Sequence, residues 1–175
     1  EGMGQMNDYL RPPSKWDSVW KHFDKLVKFA NTKAGKRIKV RVTTVNQVTN
    51  ALHIADFWRY LHDYQMTSER GIGMSTNQLI EPQYYSMAHS PLWLRQEQEQ
   101  QILRFLDSIG NSPHFEDYEE PLMEVVNFGK DPEHEYNPEI MKQYVEVTEK
   151  YDAFRMHNIL DVAPEFARIK NDLNI

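Results

Sequence analysis

From Trp16 the apolar residues recur at Val19, Trp20, Phe23, Leu26, Val27 and Ala30, one face of an amphipathic helix, with Lys21, Asp24, Lys25 and Lys28 opposite. Ser14 and Asp17 have the S-x-x-D spacing of a capping box that would launch this helix. Asn31 and Gly35 supply its stop signal. Residues 37–43 then alternate strictly, with Ile38, Val40 and Val42 on one side and basic or hydroxyl side chains on the other. That period of two predicts a strand ending at Thr44-Val45-Asn46. A strand buried on both faces is almost continuously apolar, so this one belongs at an edge or against a polar barrel interior.

A second helix follows, capped by Thr49 or Asn50, with Ala51, Ile54, Ala55, Trp58 and Leu61 on its buried face. Residues 71–80 read as another strand, closed by Pro82. In front of all this, Glu1-Gly2, a polar Gly-containing loop, Tyr9-Leu10-Arg11 and Pro12-Pro13 read as a strand end leading into the first helix. The order is therefore strand end, helix, strand, helix, strand, which is βαβαβ spacing and implies a parallel sheet. Two strands and a stub neither close a barrel nor cover a parallel sheet, so an exposed edge open to a homo-oligomer or another partner is expected. Beyond residue 83 the pattern turns helical. Three helices are predicted to begin at Ser90-Pro91, Ser112-Pro113 and Asn137-Pro138, each a cap followed by proline. The first carries Ile102, Phe105, Leu106 and Ile109. The second covers residues 115–128, broken or kinked at Pro121 and followed by Gly129. The third carries Ile140, Met141, Tyr144, Thr148 and Tyr151, and residues 164–173 form a last fraying segment. The fold expected is α/β: a partial (β/α) barrel over residues 1–83, with a helical extension over 84–175 packing on it.

Charge sharpens this division. Residues 1–80 carry twelve Lys/Arg against seven Asp/Glu, a balance of +5, whereas residues 81–175 carry eight against nineteen, or −11. A solvated acidic helical half explains that asymmetry most simply. The composition, 40% hydrophobic and 12% aromatic, is that of a globular chain, and no apolar run approaches the roughly 20 residues of a membrane span. There is no Cys, which excludes disulfides and thiolate metal ligands and leans toward a cytoplasmic location.

The opening run, EGMGQMNDYLRPPSKWD, closely resembles the fourth βα joint of radical S-adenosylmethionine enzymes, in particular the subfamily with a twitch extension. There the pattern runs Ser-hydrophobe-Asp-Gly, polar residues, Tyr-hydrophobe-Arg, one or two Pro, then Lys or Asn before Trp-Asp. Glu1-Gly2 takes the Asp-Gly position, and Tyr9, Arg11, Trp16 and Asp17 fall in place. The resemblance continues to about residue 90, where Pro82, Tyr84, Tyr85 and Ser86 follow the pattern after the sixth strand. It implies strands four to six of a (β/α)6 barrel, with S-adenosylmethionine lying across the carboxyl ends of the strands. By motif position Glu1, Arg11 and Asn46 would face that ligand, and Thr76, Asn77 and Gln78 would approach it from the last strand. A carboxylate or amide there can bond ribose hydroxyls, and a guanidinium can clamp a carboxylate.

The family holds its [4Fe–4S] cluster through a C-x3-C-x2-C loop, which this chain lacks. The resemblance therefore implies a catalytically inactive C-terminal half. The parent protein would cleave S-adenosylmethionine reductively to a 5′-deoxyadenosyl radical, and this half would need the missing N-terminal half as partner. Opening on Glu1-Gly2 without an initiator Met fits an internal piece of a longer chain. No cofactor is expected in this chain alone. The alternative is a stand-alone α/β protein-interaction module without catalysis.

Other chemistry finds less support. His53 with Asp56, His62-Asp63 and Glu133-His134-Glu135 lack ligand spacing, and exposed polar histidines are expected. No G-x-S-x-G is present, and Gly71-Ile72-Gly73 lacks a third glycine and opens a strand where a dinucleotide fingerprint follows one. Lys33, Lys36, Arg37, Lys39 and Arg41 form a basic cluster, but no nucleic-acid module accompanies it in this acidic chain, so no nucleic-acid partner is expected.

Overall fold

The structure, a computed structural model, describes residues 2–68 and 71–175. Its elements in order are α1 (Gly4–Leu10), α2 (Trp16–Ala30), β1 (Arg41–Asn46), α3 (Ile54–Gln65), β2 (Gly73–Gln78), α4 (Leu92–Ser108), α5 (Phe115–Lys130), α6 (Pro138–Arg155) and α7 (Phe166–Asp172), with single-turn 3₁₀ helices between them. Among the described residues the sheet has two parallel strands, paired from Arg41 opposite Gly73 to Asn46 opposite Gln78, with α3 as the crossover. The architecture is thus α/β with one βαβ unit.

The register sorts the side chains into two faces. Val42, Thr44 and Asn46 stand beside Met74, Thr76 and Gln78 on the face that packs against helices. Its two buried threonines are satisfied. Thr44 Oγ1 accepts from Trp58 Nε1 at 3.0 Å, and Thr76 Oγ1 donates to the Pro121 carbonyl at 2.9 Å. Arg41, Thr43 and Val45 stand beside Gly73, Ser75 and Asn77 on the other face, and none of these six is buried. Thr43 and Ser75 bond each other across it at 2.8 Å. This is the polar face anticipated from the alternation.

β1 begins later than its alternation predicts. Ile38 N–H bonds the Gly35 carbonyl at 2.8 Å, closing a turn through Lys36 and Arg37, and the ladder starts only where Gly73 N–H meets the Val40 carbonyl. A Cβ on Gly35 would collide with the Phe29 carbonyl, so the turn that ends α2 requires glycine there.

At the N-terminus no strand end is found among the described residues: residues 4–10 form a helix. The S-x-x-D box is not formed either. Lys15 is the N-cap of α2 and gives no side-chain bond, while Asp8 Oδ1 accepts from Trp16 N–H at 2.6 Å. The predicted apolar stripe on α2 also splits. Val27 and Ala30 are buried and the aromatic residues pack against α3, but Val19 and Leu26 remain exposed, as does Phe29 outside the stripe.

α3 begins at Ile54, after a 3₁₀ turn that holds Thr49 and Asn50, and the side chain of its N-cap His53 does not cap it. α5 is continuous through Pro121 and includes Gly129, so neither residue ends it. Asn137 caps α6 as predicted, accepting from Glu139 and Ile140 N–H. α7 does not fray, because Phe166, Ile169 and Leu173 are buried.

Two apolar cores result. One joins α2, α3, the sheet, α4 and α5 around Trp58, Phe105 and Tyr118. The other joins α1, the loop after β1, α6 and α7 around Met141, Tyr144 and Phe166. Each draws residues from both sides of residue 83.

Candidate functional site

Ligands of open parallel sheets bind outside the carboxyl ends of the strands, and a crevice of about 370 Å³ lies there. Val45 and Leu79 from the strand ends, with Gln47 and Thr49 just beyond β1, form its floor. The end of α1 contributes Tyr9, Leu10 and Arg11, and the opposite wall is Tyr85 with Thr148, Tyr151 and Arg155 from α6. The volume falls within the roughly 300–1,000 Å³ of small-molecule sites. Among the described residues no Asp or Glu lines it, although the chain is acidic.

A buried amide network fixes the floor. Asn46 Nδ2 donates to Gln78 Oε1 at 2.8 Å, and Gln98 Nε2 on α4 donates to Asn46 Oδ1 at 2.8 Å and to the Ala51 carbonyl at 3.0 Å. Asn50 closes the loop, with Nδ2 on the Val45 carbonyl at 2.8 Å and Oδ1 accepting from Gln47 N–H at 3.0 Å. Thr49 Oγ1 lies 3.3 Å from the buried Tyr144 hydroxyl, which ties the floor to α6.

Tyr9 and Tyr85 are held neutral. Burial, then the neighbouring Tyr84, pushes Tyr85 up to about 12. Burial and then the Asp152 carboxylate raise Tyr9 further. Asp152 itself is engaged, its Oδ2 accepting from Ile159 N–H at 2.7 Å. Arg155, the last residue of α6, sits 4.7 Å from the Tyr151 ring centroid.

The four residues assigned to S-adenosylmethionine by motif position separate here. Arg11 lines the crevice. Asn77 is exposed on the polar sheet face, in register with Val45 of the crevice floor. Asn46 is 1% exposed, and both ends of its amide are spent inside the network, so it supports the floor from behind. Glu1 lies outside the described residues. Of the neighbours of Asn77, Thr76 and Gln78 point to the packed face. Tyr85, Thr148, Tyr151 and Arg155 were not singled out from the sequence as ligand-facing. The spacing of 148, 151 and 155 on one helix gave the signal, but it merges there with the apolar stripe of Met141 and Tyr144.

Other polar sites are structural. In a second cavity of about 410 Å³ Arg95 is 8% exposed and donates to the Gly129 and His134 carbonyls at 3.3 and 3.0 Å, clamping the loop after α5. Beside it Lys130 pairs with Glu99 at 2.6 Å. His62 is buried, not exposed, with Nε2 2.9 Å from Ser112 Oγ. Among the described residues no group of three or more His, Asp or Glu side chains gathers to hold a metal ion, and no helix is long and apolar enough to cross a membrane. No known protein family, curated protein or solved structure matches the chain.

Proposed function

We propose that this chain is the C-terminal half of a protein resembling the radical S-adenosylmethionine enzymes of the twitch group. In that reading β1, α3 and β2 are part of a barrel wall, and the crevice at their carboxyl ends faces S-adenosylmethionine. The chain alone is catalytically inactive, because it has no Cys for the [4Fe–4S] cluster that the parent would carry. The observation that carries the reading is the bare polar sheet face. Arg41, Thr43, Ser75 and Asn77 leave that face polar and unburied, as the inside of a larger barrel would be.

Two further features support it. The ladder from Gly73 N–H to Val40 and from Leu79 N–H to Asn46 turns the backbone groups of Thr43 away from β2, and no backbone bond meets them among the described residues. On α2, Val19, Leu26 and Phe29 are left exposed, suited to a neighbouring helix. An added strand and helix from the N-terminal half would cover both.

The test is calorimetric titration of S-adenosylmethionine into the chain. Binding weakened about tenfold or more by Arg11→Ala is expected, because a charge-assisted contact contributes about 1.5–3 kcal/mol, and weakened by a smaller factor by Asn77→Ala, whose neutral amide contributes about 0.5–1.5 kcal/mol. No heat up to millimolar ligand would overturn the reading.

A second reading, an α/β protein-interaction module without catalysis, draws on Phe154 and Met156, which are 84% and 94% exposed at the end of α6. Such a pair of bare apolar side chains suits a partner surface.

A further inference from the structure

The α6 wall of the crevice has a chemistry of its own. Arg155 enters no ion pair among the described residues; it is held by the face of Tyr151. Stacking on a ring leaves the edge of a guanidinium, with its fork of N–H donors, directed elsewhere. Two turns back on the same helix, Thr148 is 3% exposed and lines the crevice. Tyr85 stands beside this wall, its ring 5.8 Å from that of Tyr144. A cation at the last turn of α6 also suits the negative end of the helix dipole, and that accounts for an arginine somewhere in the turn. It does not account for a second guanidinium, Arg11, on the facing wall, nor for the absence, among the described residues, of any acidic lining side chain in a chain of net charge −6.

We propose that the α6 wall is a subsite for the carboxylate of an organic anion, with Arg155 as its cation and Thr148 and Tyr85 as hydroxyl partners. A carboxylate takes two parallel N–H bonds from a guanidinium and leaves lone pairs for hydroxyl donors. Tyr85 stays protonated far above neutral pH, so it donates to an anion instead of repelling it. The rings of Tyr85 and Tyr151, with Leu79 and Val45 on the floor, give the rest of such a molecule an apolar, partly aromatic bed. Asp152, whose charge is felt by Tyr9 and Tyr85, does not line the crevice, and its Oδ2 accepts from Ile159 N–H.

This inference rests on the reading of the crevice as a ligand site and adds the class of molecule that fills its α6 side. The probe pair is benzoate and its neutral isostere benzamide, followed by saturation-transfer NMR and by competition on the intact chain. Benzoate is expected to bind about tenfold or more tightly than benzamide, and Arg155→Gln should bring the two within about twofold while leaving the thermal melt in place. Equal affinities for the two probes, no benzoate binding, or a preference that survives Arg155→Gln would overturn the subsite. The S-adenosylmethionine titration judges the other claim separately. Binding of that ligand through Arg11 without anion preference removes only the subsite, and anion preference without that binding removes only the identity of the first ligand.

Discussion

Asn46 and Asn77 lie on neighbouring strands, yet their side chains leave opposite faces of the sheet, and their substitutions separate support from recognition. Asn46→Ala leaves Gln78 Oε1 without its partner and takes one of the two acceptors of Gln98 Nε2, so a loss of about 1–3 kcal/mol is expected. Asn77→Ala removes an exposed amide and is expected to change stability by less than about 0.5 kcal/mol. Urea denaturation of the two variants checks this; equal destabilisation would contradict the face assignment. The parity was present in the sequence. Asn46 shares the even positions of Val40 and Val42, so the strand carries it to their buried side. Motif position alone put it at the mouth. Motif position singled out Arg11, which lines the crevice, whereas Arg155 was not legible because its helix pairs it with crevice residues more than one hundred positions earlier in the chain.

The joint between α1 and α2 shows how a tertiary contact replaces a local signal. The spacing of Ser14 and Asp17 satisfies the capping-box pattern, but Asp8, brought over by α1, takes the first free amide of α2. Asp8→Ala is therefore expected to cost about 1 kcal/mol and Ser14→Ala close to nothing, as read from thermal melts. Burial pulls the Asp8 carboxyl up, but the Trp16 amide, Asn7 and Lys15 outweigh it and hold the group below its ordinary 3.8. A depressed carboxyl stabilises the fold above its unfolded value and loses that contribution as pH falls through the folded one. Acid titration of stability should then fall below about pH 4 in the natural chain, with a shallower fall in Asp8→Asn. At the other end of α2, Gly35→Ala is expected to cost about 1–3 kcal/mol, since the backbone of Phe29 has to move. Apart from α1, read as a strand end, the helices were legible from their periodicity. Their ends were legible in part: Asn137 caps α6 as expected, but Pro121 sits inside α5, where its carbonyl is held by Thr76 of β2.

At the scale of the whole molecule, the sheet of the described residues has two parallel strands, packed against helices on one face and polar and unburied on the other, where Val45 meets the crevice between α1 and α6. The open groups of Thr43 on the outer edge of β1 offer a place for another strand. Sedimentation velocity is expected to show association rising with concentration, and Thr43→Pro, which removes the outward N–H, should suppress it. A monomer at all concentrations would mean that the edge is protected. Parallel pairing and the acidic helical half were legible from spacing and charge. The way α6 and α7 join α1 and the loop after β1 into the second core was not, since it depends on contacts such as Met6 with that core across most of the chain. The central claim is that this crevice and the polar face beside it are where the molecule meets its ligand. The most direct test is a residue-resolved NMR titration of the intact chain with S-adenosylmethionine. The account predicts shifts concentrated at Arg11, Val45, Gln47 and Asn77, with Arg95 and His134 unmoved. Shifts that spare the strand ends, or that gather around Arg95, would contradict it.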